Sequence, residues 1–243
     1  YCDLLAQGAV TEGEAVNFCV PTGNFGNILS AFYAKEMGLP IGRLLCASNS
    51  NNVLTDFIAT GKYDRNRPFY NTVSPSMDIL ISSNLERLLY LLSGGDDKLV
   101  VGYMKELSDT GCYQVSGEML EKIQSVFVGG FSSEAETEAT IGKMMDEHKY
   151  LIDTHTAVAF HVAEANRSDA PMVVLSTASP FKFPRDVLAA LGETAPESDF
   201  ATMAALTAKT GAAAPASLRE LDKLPVRFNT VIEPAEIRAA ALR

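Results

Sequence analysis

Four short, continuously apolar segments are the feature that most restricts the fold of this chain. Unbroken rather than alternating hydrophobicity is typical of strands that are buried on both faces of a parallel sheet. Longer segments with helical spacing lie between them, so strands alternate with helices. The sequence therefore predicts an α/β fold with an open, mostly parallel sheet flanked by helices. The predicted strands are Ala15–Val20, Arg43–Ala47, Ser125–Gly129 and Met172–Ser176.

The intervening segments predict six helices. Between the second and third of them, the polar segment Lys62–Asn84 has neither helical nor strand periodicity, and we interpret it as an ordered functional loop. From about Pro184 the chain is Ala-rich and interrupted by Pro196 and Pro215, which indicates a small helical tail. The predicted helices are Gly26–Met37, Asn52–Thr60, Ser83–Ser93, Asp96–Thr110, Glu134–His148 and Thr154–Asn166.

Composition restricts the class of partner. The chain has 243 residues, of which 47% are hydrophobic, enough for a sizeable core. Its 30 acidic residues outnumber 20 basic ones, which argues against nucleic acid and anionic membranes as partners. No apolar run has transmembrane length.

The cysteines form no CxxC pair, so we expect no disulfide framework, no metal site and a reducing, cytoplasmic compartment. They are Cys2, Cys19, Cys46 and Cys112.

The sequence "VPTGNFGN" links the first predicted strand to the first predicted helix. Glycines at such a turn allow backbone N–H groups to approach an anion at the positive end of the helix dipole. Gly23 and Gly26 permit close approach or unusual dihedral angles, and Asn24 and Asn27 donate hydrogen bonds or tolerate left-handed geometry. The segment is neither a P-loop nor a Rossmann fingerprint. It predicts either a phosphate-binding loop or a plain helix-capping turn.

A second polar segment follows the last predicted strand. Ser176, Thr177 and Ser179 occur in "VVLSTASPFKFP". Carboxyl ends of parallel strands meet at one sheet edge, where ligands bind. A phosphate loop beside hydroxyl groups suits a cofactor with a phosphate and a ring nitrogen, such as pyridoxal phosphate (PLP). The alternative is an ordinary polar turn before the next helix.

Five long segments of the sequence resemble a known family, the bacterial and fungal threonine synthases. The resemblance extends from Tyr1 to about Leu191. It implies the tryptophan-synthase-β-like fold of PLP enzymes, called fold type II. The segments are VNFCVPTGNFGNILSAFYAKEMGLPI, ASNSNNVLTDFIATGKYDRNR, SPSMDILISSNLERLL, DTHTAVAF and STASPFKFP.

The resemblance also implies a site and a reaction. Thr177 would face the pyridine nitrogen of PLP, and the phosphate cradle would consist of Gly23, Asn24, Phe25, Gly26 and Asn27. The reaction would convert O-phospho-L-homoserine and water into L-threonine and phosphate. In the family, the lysine that forms the Schiff base lies well before the glycine loop in an S/T-F-K-D motif, and no lysine here has that context.

We therefore interpret the chain as the C-terminal part of such an enzyme. Residues 1–190 would form an α/β domain, residues 191–243 a helical tail packed on it, and the N-terminal domain with the lysine would be absent. Two alternatives remain: a related PLP-dependent phospho-lyase, and a non-catalytic phosphate-binding or assembly module. The upstream sequence, with or without the lysine motif, would distinguish these alternatives. The oligomeric state is not predicted.

Two further residues are candidates for contact with the substrate. Lys182 follows the hydroxyl-rich strand end and would offer positive charge to a substrate phosphate. His155 lies in "DTHTAVAF", where it would contact the substrate. The alternative for His155 is that Asp153 caps a helix beginning at Thr154 and His155 fills its first turn.

Overall fold

The structure, a computed structural model, describes residues 1–242 and contains one central sheet of four parallel strands. The strand order is β5-β2-β1-β6, and a separate antiparallel ribbon joins β3 to β4. The predicted α/β class is confirmed. The strands are β1 (Val16–Pro21), β2 (Ile41–Ser48), β3 (Lys62–Asp64), β4 (Cys112–Gln114), β5 (Phe127–Phe131) and β6 (Met172–Val174).

All six predicted helices are present, with ends that differ from the prediction by a few residues at most. They are α2 (Gly26–Glu36), α3 (Val53–Thr60), α4 (Leu85–Leu92), α5 (Asp97–Thr110), α7 (Glu134–His148) and α8 (Thr154–Ala165). The others are α1 (Cys2–Ala6), α6 (Gly117–Val126), α9 (Pro184–Ala190), α10 (Asp199–Thr210), α11 (Ala216–Arg219) and α12 (Ile237–Ala241).

Cys19, a buried residue of β1, shows the register on both sides of that strand. Cys19 pairs with Leu45 of β2 and with Val174 of β6, and all of these pairings are parallel. Val16, Cys19 and Val20 are completely buried, because helices cover both faces of the sheet. The prediction of strands buried on both faces is therefore correct for β1 and β2.

Two apolar layers cover the sheet. On one face the side chains of β1 and β2 pack with α2 to α6 around Ile28, Phe57 and Leu88. On the other face they pack against α8 through Val158 and Val162. The sheet is thus a middle layer between helices, the arrangement that leaves its carboxyl edge open to a ligand.

A third apolar cluster joins α7 and α9 to the Ala-rich tail. Met203 and Leu206 of α10 pack with Ile141, Val187 and Leu188. After Ala214 no side chain in residues 215–242 is buried. The tail therefore contacts the rest of the described chain mainly through α10.

No helix within residues 1–242 is both long enough and apolar enough to cross a membrane. The four cysteines are free thiols. Burial raises the pKa of the Cys46 thiol to about 12, so this group is uncharged at neutral pH.

Candidate cofactor site

The glycine loop and the hydroxyl-rich segment leave the sheet at the same edge. β1 and β6 are parallel neighbours, and the N–H of Leu175 donates to the carbonyl of Cys19 at 3.0 Å. Adjacent strands lie about 4.8 Å apart. Thr22 and Thr177 follow these paired strands by a few residues each. The topology therefore places the two predicted parts of the site side by side.

The glycine loop turns directly into α2. The N–H of Thr22 donates to the carbonyl of Ala47 at 2.8 Å, and its hydroxyl donates to the carbonyl of Val20 at 2.7 Å. Phe25 then adopts the left-handed conformation, with φ 63°, and α2 begins at Gly26. The expectation that a glycine or an asparagine would take this conformation is wrong. Phe25 takes it because its ring is buried against Phe127, with ring centroids 5.4 Å apart.

The N–H groups from Gly23 to Ile28 have no hydrogen-bond acceptor within residues 1–242. No side chain caps α2, and the first bond of the helix runs from the N–H of Leu29 to the carbonyl of Phe25. Asn24, Gly26 and Asn27 are exposed. Unbonded N–H groups at a helix N-terminus, three of them on these exposed residues, are suited to a phosphate or another anion.

The carbonyl groups of the same loop are, by contrast, already bonded. The hydroxyl of Ser82 donates to the carbonyl of Gly23 at 2.8 Å. The carbonyl of Asn24 accepts from the N–H of Asn84 at 3.1 Å and from its side-chain amide at 2.7 Å. Residues just before α4 thus hold the glycine loop through its carbonyl oxygens. The N–H groups of the loop remain available to a ligand.

Close approach explains why residue 23 is a glycine. A Cβ atom on Gly23 would lie 3.1 Å from the Cα of Met77 and 3.2 Å from the carbonyl oxygen of Ser76. At Gly26 it would lie 3.3 Å from the side-chain nitrogen of Asn84. Neither glycine has a positive φ. Space and not dihedral angle therefore favours glycine at residue 23, where the neighbours are backbone atoms, whereas the Asn84 side chain beside Gly26 can move.

Of the three predicted hydroxyls after β6, that of Thr177 has no hydrogen-bond partner within the described residues. The hydroxyl of Ser176 lies 3.2 Å from that of Thr156, and Ser179 accepts from the N–H of Phe181 at 3.3 Å. Thr177 is exposed. Its hydroxyl is thus free to contact a ligand at the sheet edge.

Lys182 lies in the short turn Pro180–Lys182 and is exposed. Its ammonium nitrogen lies 5.3 Å from the centroid of the Phe183 ring, and it forms no ion pair with a carboxylate of residues 1–242. A cation in this position is available to an anionic ligand.

His155 is buried, with 3% of its surface exposed, and both ring nitrogens are engaged. Nδ1 lies 3.1 Å from the Asp153 carboxylate, and Nε2 accepts from the N–H of Ser76 at 3.2 Å. Asp153 caps α8 through the N–H groups of His155 and Thr156. The capping expectation is therefore confirmed, and His155 lies beneath the irregular loop.

The Asp153 carboxylate is stabilised in its charged form. Burial by itself would raise its pKa, but hydrogen bonds from His155 and Thr156 outweigh burial and hold the pKa below its usual range. The negative charge in turn holds the proton of His155 on Nδ1 and leaves Nε2 as an acceptor.

The comparisons with known proteins agree on one family. Residues 156–240 match the family model described as the C-terminal part of threonine synthase. A PLP-bound threonine synthase from Brucella melitensis superposes with a TM-score of 0.83 at 38% identity, covering 98% of this chain and 48% of that one. The chain belongs to the threonine synthase family. The resemblance seen in the sequence is thereby confirmed.

The curated relatives of this threonine synthase family chain are much longer than it is. Threonine synthase from Methylobacillus glycogenes is 37% identical over 239 residues, which are 94% of this chain and 46% of that protein. Threonine synthase-like 1 from Homo sapiens is 46% identical over 193 residues, or 79% of this chain and 26% of that protein. The chain thus spans less than half the length of these relatives.

The sequence of this threonine synthase family chain did not connect Asp78, a residue of the irregular polar loop, with the polar residues at the end of β2. Asp78 accepts from the side-chain nitrogens of Asn49 at 2.8 Å and Asn51 at 3.0 Å, and from the hydroxyl of Thr72 at 2.7 Å. These bonds fasten the irregular loop to the carboxyl end of β2. The sequence does contain a signal for these partners, because polar residues also stand at the carboxyl end of β2, in "SNSNN" from Ser48, the last residue of β2, to Asn52.

Proposed function

We propose that the chain is the C-terminal part of a PLP-dependent threonine synthase, which converts O-phospho-L-homoserine and water into L-threonine and phosphate. The observation that carries this proposal is the set of unbonded N–H groups from Gly23 to Ile28, beside the free hydroxyl of Thr177. Phosphate and ring nitrogen are the two ends of PLP, and the residues of this edge fit both ends.

In this proposal Gly23, Asn24, Phe25, Gly26 and Asn27 hold the cofactor phosphate through backbone N–H groups. The helix dipole of α2 stabilises the negative charge, and no cationic side chain is needed. The absence of a Cβ at Gly23 lets the Ser76–Met77 backbone close against the loop. The loop thereby orients the cofactor and excludes water from one side of its phosphate.

Thr177 orients the ring end of the cofactor. A neutral hydroxyl beside the pyridine nitrogen leaves that nitrogen unprotonated or weakly polarised, whereas a carboxylate would hold it protonated. The cofactor, when bound, supplies an electron sink for negative charge at Cα of the substrate. The hydroxyl of Thr177 therefore tunes the strength of that sink without itself moving a proton at Cα.

Lys182 is proposed to bind the phosphate of O-phospho-L-homoserine. Its ammonium group is exposed, and Lys182 follows Thr177 by five residues.

The Schiff-base lysine is proposed to belong to an N-terminal domain, in the part of the relatives that this chain does not span. Residues 1–190 would be the C-terminal α/β domain and residues 191–243 the tail. We propose a cytoplasmic location.

The test uses the full-length protein that contains this chain. Cofactor affinity is measured by absorbance titration, and threonine and phosphate formation from O-phospho-L-homoserine are followed separately. Thr177→Val keeps the side-chain volume and deletes the hydroxyl, so we expect kcat to fall about ten- to a hundredfold with cofactor affinity largely kept. Thr207→Val, on α10, is the matched control and should match wild type.

Each other outcome contradicts the proposal in a distinct way. Phosphate release without threonine would identify a phospho-lyase of the same fold. Cofactor binding without turnover would identify a non-catalytic module. Absence of PLP binding would show that the N–H groups of the glycine loop serve another anion or none.

A further inference from the structure

The ring of His155 links two elements that are distant in sequence. Ser76, whose N–H donates to Nε2 of His155, lies 79 residues away from it. The ring packs against Phe183, with centroids 4.8 Å apart, and 3% of the residue is exposed. A buried side chain with both nitrogens engaged cannot contact a substrate without leaving these partners.

The Ser76 side of this link supports the glycine loop. Ser76 and Met77 form the backbone that a Cβ on Gly23 would meet at 3.2 and 3.1 Å. Ser74 is completely buried and Met77 is 3% exposed, so these two residues anchor the turn Pro75–Met77, whereas Pro75 and Ser76 lie at the surface. A shift of Ser76 therefore moves the surface on which Gly23 rests.

The Asp153 side of the link reaches the end of β6. Asp153 accepts from the hydroxyl of Thr156, and the oxygen of that hydroxyl lies 3.2 Å from the hydroxyl of Ser176, from which it can accept. Ser176 immediately precedes Thr177 in the chain. One continuous set of hydrogen bonds, buried at Asp153, thus runs from the support of Gly23 to the residue before Thr177.

We propose that His155 is a positioning residue, which fixes the Ser76–Met77 backbone against the glycine loop and so sets the geometry between that loop and Thr177. This inference rests on the proposed function for the identity of the ligand. His155 donates from Nδ1 to Asp153 and accepts at Nε2 from Ser76. It transfers no proton in the reaction, and it replaces the substrate contact suggested by the sequence.

Two conservative variants of the full-length protein test separately the two hydrogen bonds of His155, the one with Ser76 and the one with Asp153. In His155→Gln the amide oxygen can replace Nε2 as the acceptor for Ser76. In His155→Asn the shorter amide can replace Nδ1 as the donor to Asp153, and the acceptor for Ser76 is lost. His161→Asn, at a half-exposed position on the same helix, is the matched control.

The first measurement is amide hydrogen exchange of Ser76 in the protein without cofactor. We expect exchange in His155→Gln close to wild type, and exchange in His155→Asn faster by about tenfold or more. Unchanged exchange in His155→Asn would overturn the inference. This readout does not require PLP, so it stands even where the proposed function fails.

The second measurement is cofactor affinity and turnover. His155→Asn should weaken PLP binding about tenfold, the effect of one lost hydrogen bond, while His155→Gln should stay within a few-fold of wild type in affinity and kcat. A proton-transfer role would instead lower kcat about a hundredfold or more in both variants. That result would overturn the inference.

If His155→Asn does not fold, the test depends on His155→Gln alone. Wild-type amide exchange of Ser76 and wild-type turnover in that variant support a positioning role, and loss of either contradicts it.

Discussion

The hydroxyl of Ser82 donates to the carbonyl oxygen of Gly23 at 2.8 Å, across 59 residues of sequence. Ser82 is itself held by the hydroxyl of Tyr63, which accepts from the N–H of Ser82 at 2.8 Å. Tyr63 stacks on Tyr113 of β4, with ring centroids 5.2 Å apart. The small antiparallel ribbon thus supports the glycine loop from the side opposite to its N–H groups.

Ser82→Ala removes the donor to Gly23 and leaves the rest of the loop unchanged. We expect the free energy of unfolding to fall by about 1 kcal/mol and cofactor binding in the full-length protein to weaken several-fold. Urea denaturation and absorbance titration measure the two effects. Ser83→Ala is the control, because its only bond to the loop, to the Asn24 side chain, is longer at 3.3 Å. Equal effects of the two variants would contradict the assignment.

Gly23→Ala places a methyl group against the backbone of Ser76 and Met77. We expect a loss of roughly 1–3 kcal/mol in the free energy of unfolding, because backbone atoms cannot give way as a flexible side chain does. Gly102 of α5 provides the contrast: nothing lies within 4 Å of a Cβ there. Gly102→Ala should therefore raise the free energy of unfolding by roughly 0.5–1 kcal/mol. Thermal and urea denaturation give both values.

Asp153→Asn tests the charge at the start of α8. The folded-state pKa of Asp153 lies below its usual value of 3.8, so its stabilising effect is present above that pH. We expect the variant to lose about 2 kcal/mol at pH 7, the value of hydrogen bonds to a charged group. The difference should shrink as pH falls below about 3.8 towards the folded-state pKa. Urea denaturation across this range measures it, and exposed Asp169→Asn is the control.

Glu134→Gln should change the free energy of unfolding at neutral pH in the opposite direction from Asp153→Asn. Burial raises the pKa of Glu134, the N–H of Val73 opposes this, and the nearby carboxylates of Asp78, Glu138 and Asp186 raise it further. One of its carboxylate oxygens is buried with no partner in the described residues. The folded protein therefore binds its proton more tightly than the unfolded chain, and its charge is unfavourable at neutral pH.

We accordingly expect Glu134→Gln to unfold at slightly higher urea concentration than wild type at pH 7 to 8. The gain should be roughly 0.5 kcal/mol or less, since the group is only partly buried. It should disappear as pH falls below about 4.5, the usual value for this carboxyl group. A variant less stable than wild type at pH 8 would show that the bond to Val73 dominates.

The sequence predicted what depends on local periodicity. Continuous apolar runs identified the four strands of the main sheet, and helical spacing gave the bounds Glu134–His148 of α7 correctly. It missed α6 and its junction with β5, because "SVFV" has the same apolar pattern in either state and the helix continues to Val126. It also missed β3 and β4, which have three residues each and pair only in three dimensions.

The residues of the candidate site also fall into those that local sequence patterns predicted and those that depend on distant contacts. Polar residues at the ends of β1 and β6 were found because the strand ends were found. The contacts of Asp78 with Asn49 and of His155 with Ser76 depend on chain segments 29 and 79 residues apart, which no local pattern encodes. The left-handed conformation of Phe25 was unexpected for the same reason: a distant aromatic contact outweighs the local preference.

That conformation has a consequence for the thermodynamics of association. A non-glycine residue at φ 63° costs of order 1–3 kcal/mol, and the burial of the Phe25 ring beside Phe127 offsets it. The N–H groups that follow are consequently ordered by the hydrophobic core before any anion arrives. Their conformational entropy is lost once, when the chain folds, and not again at each encounter, so a rigid receptor gains affinity without an additional contact.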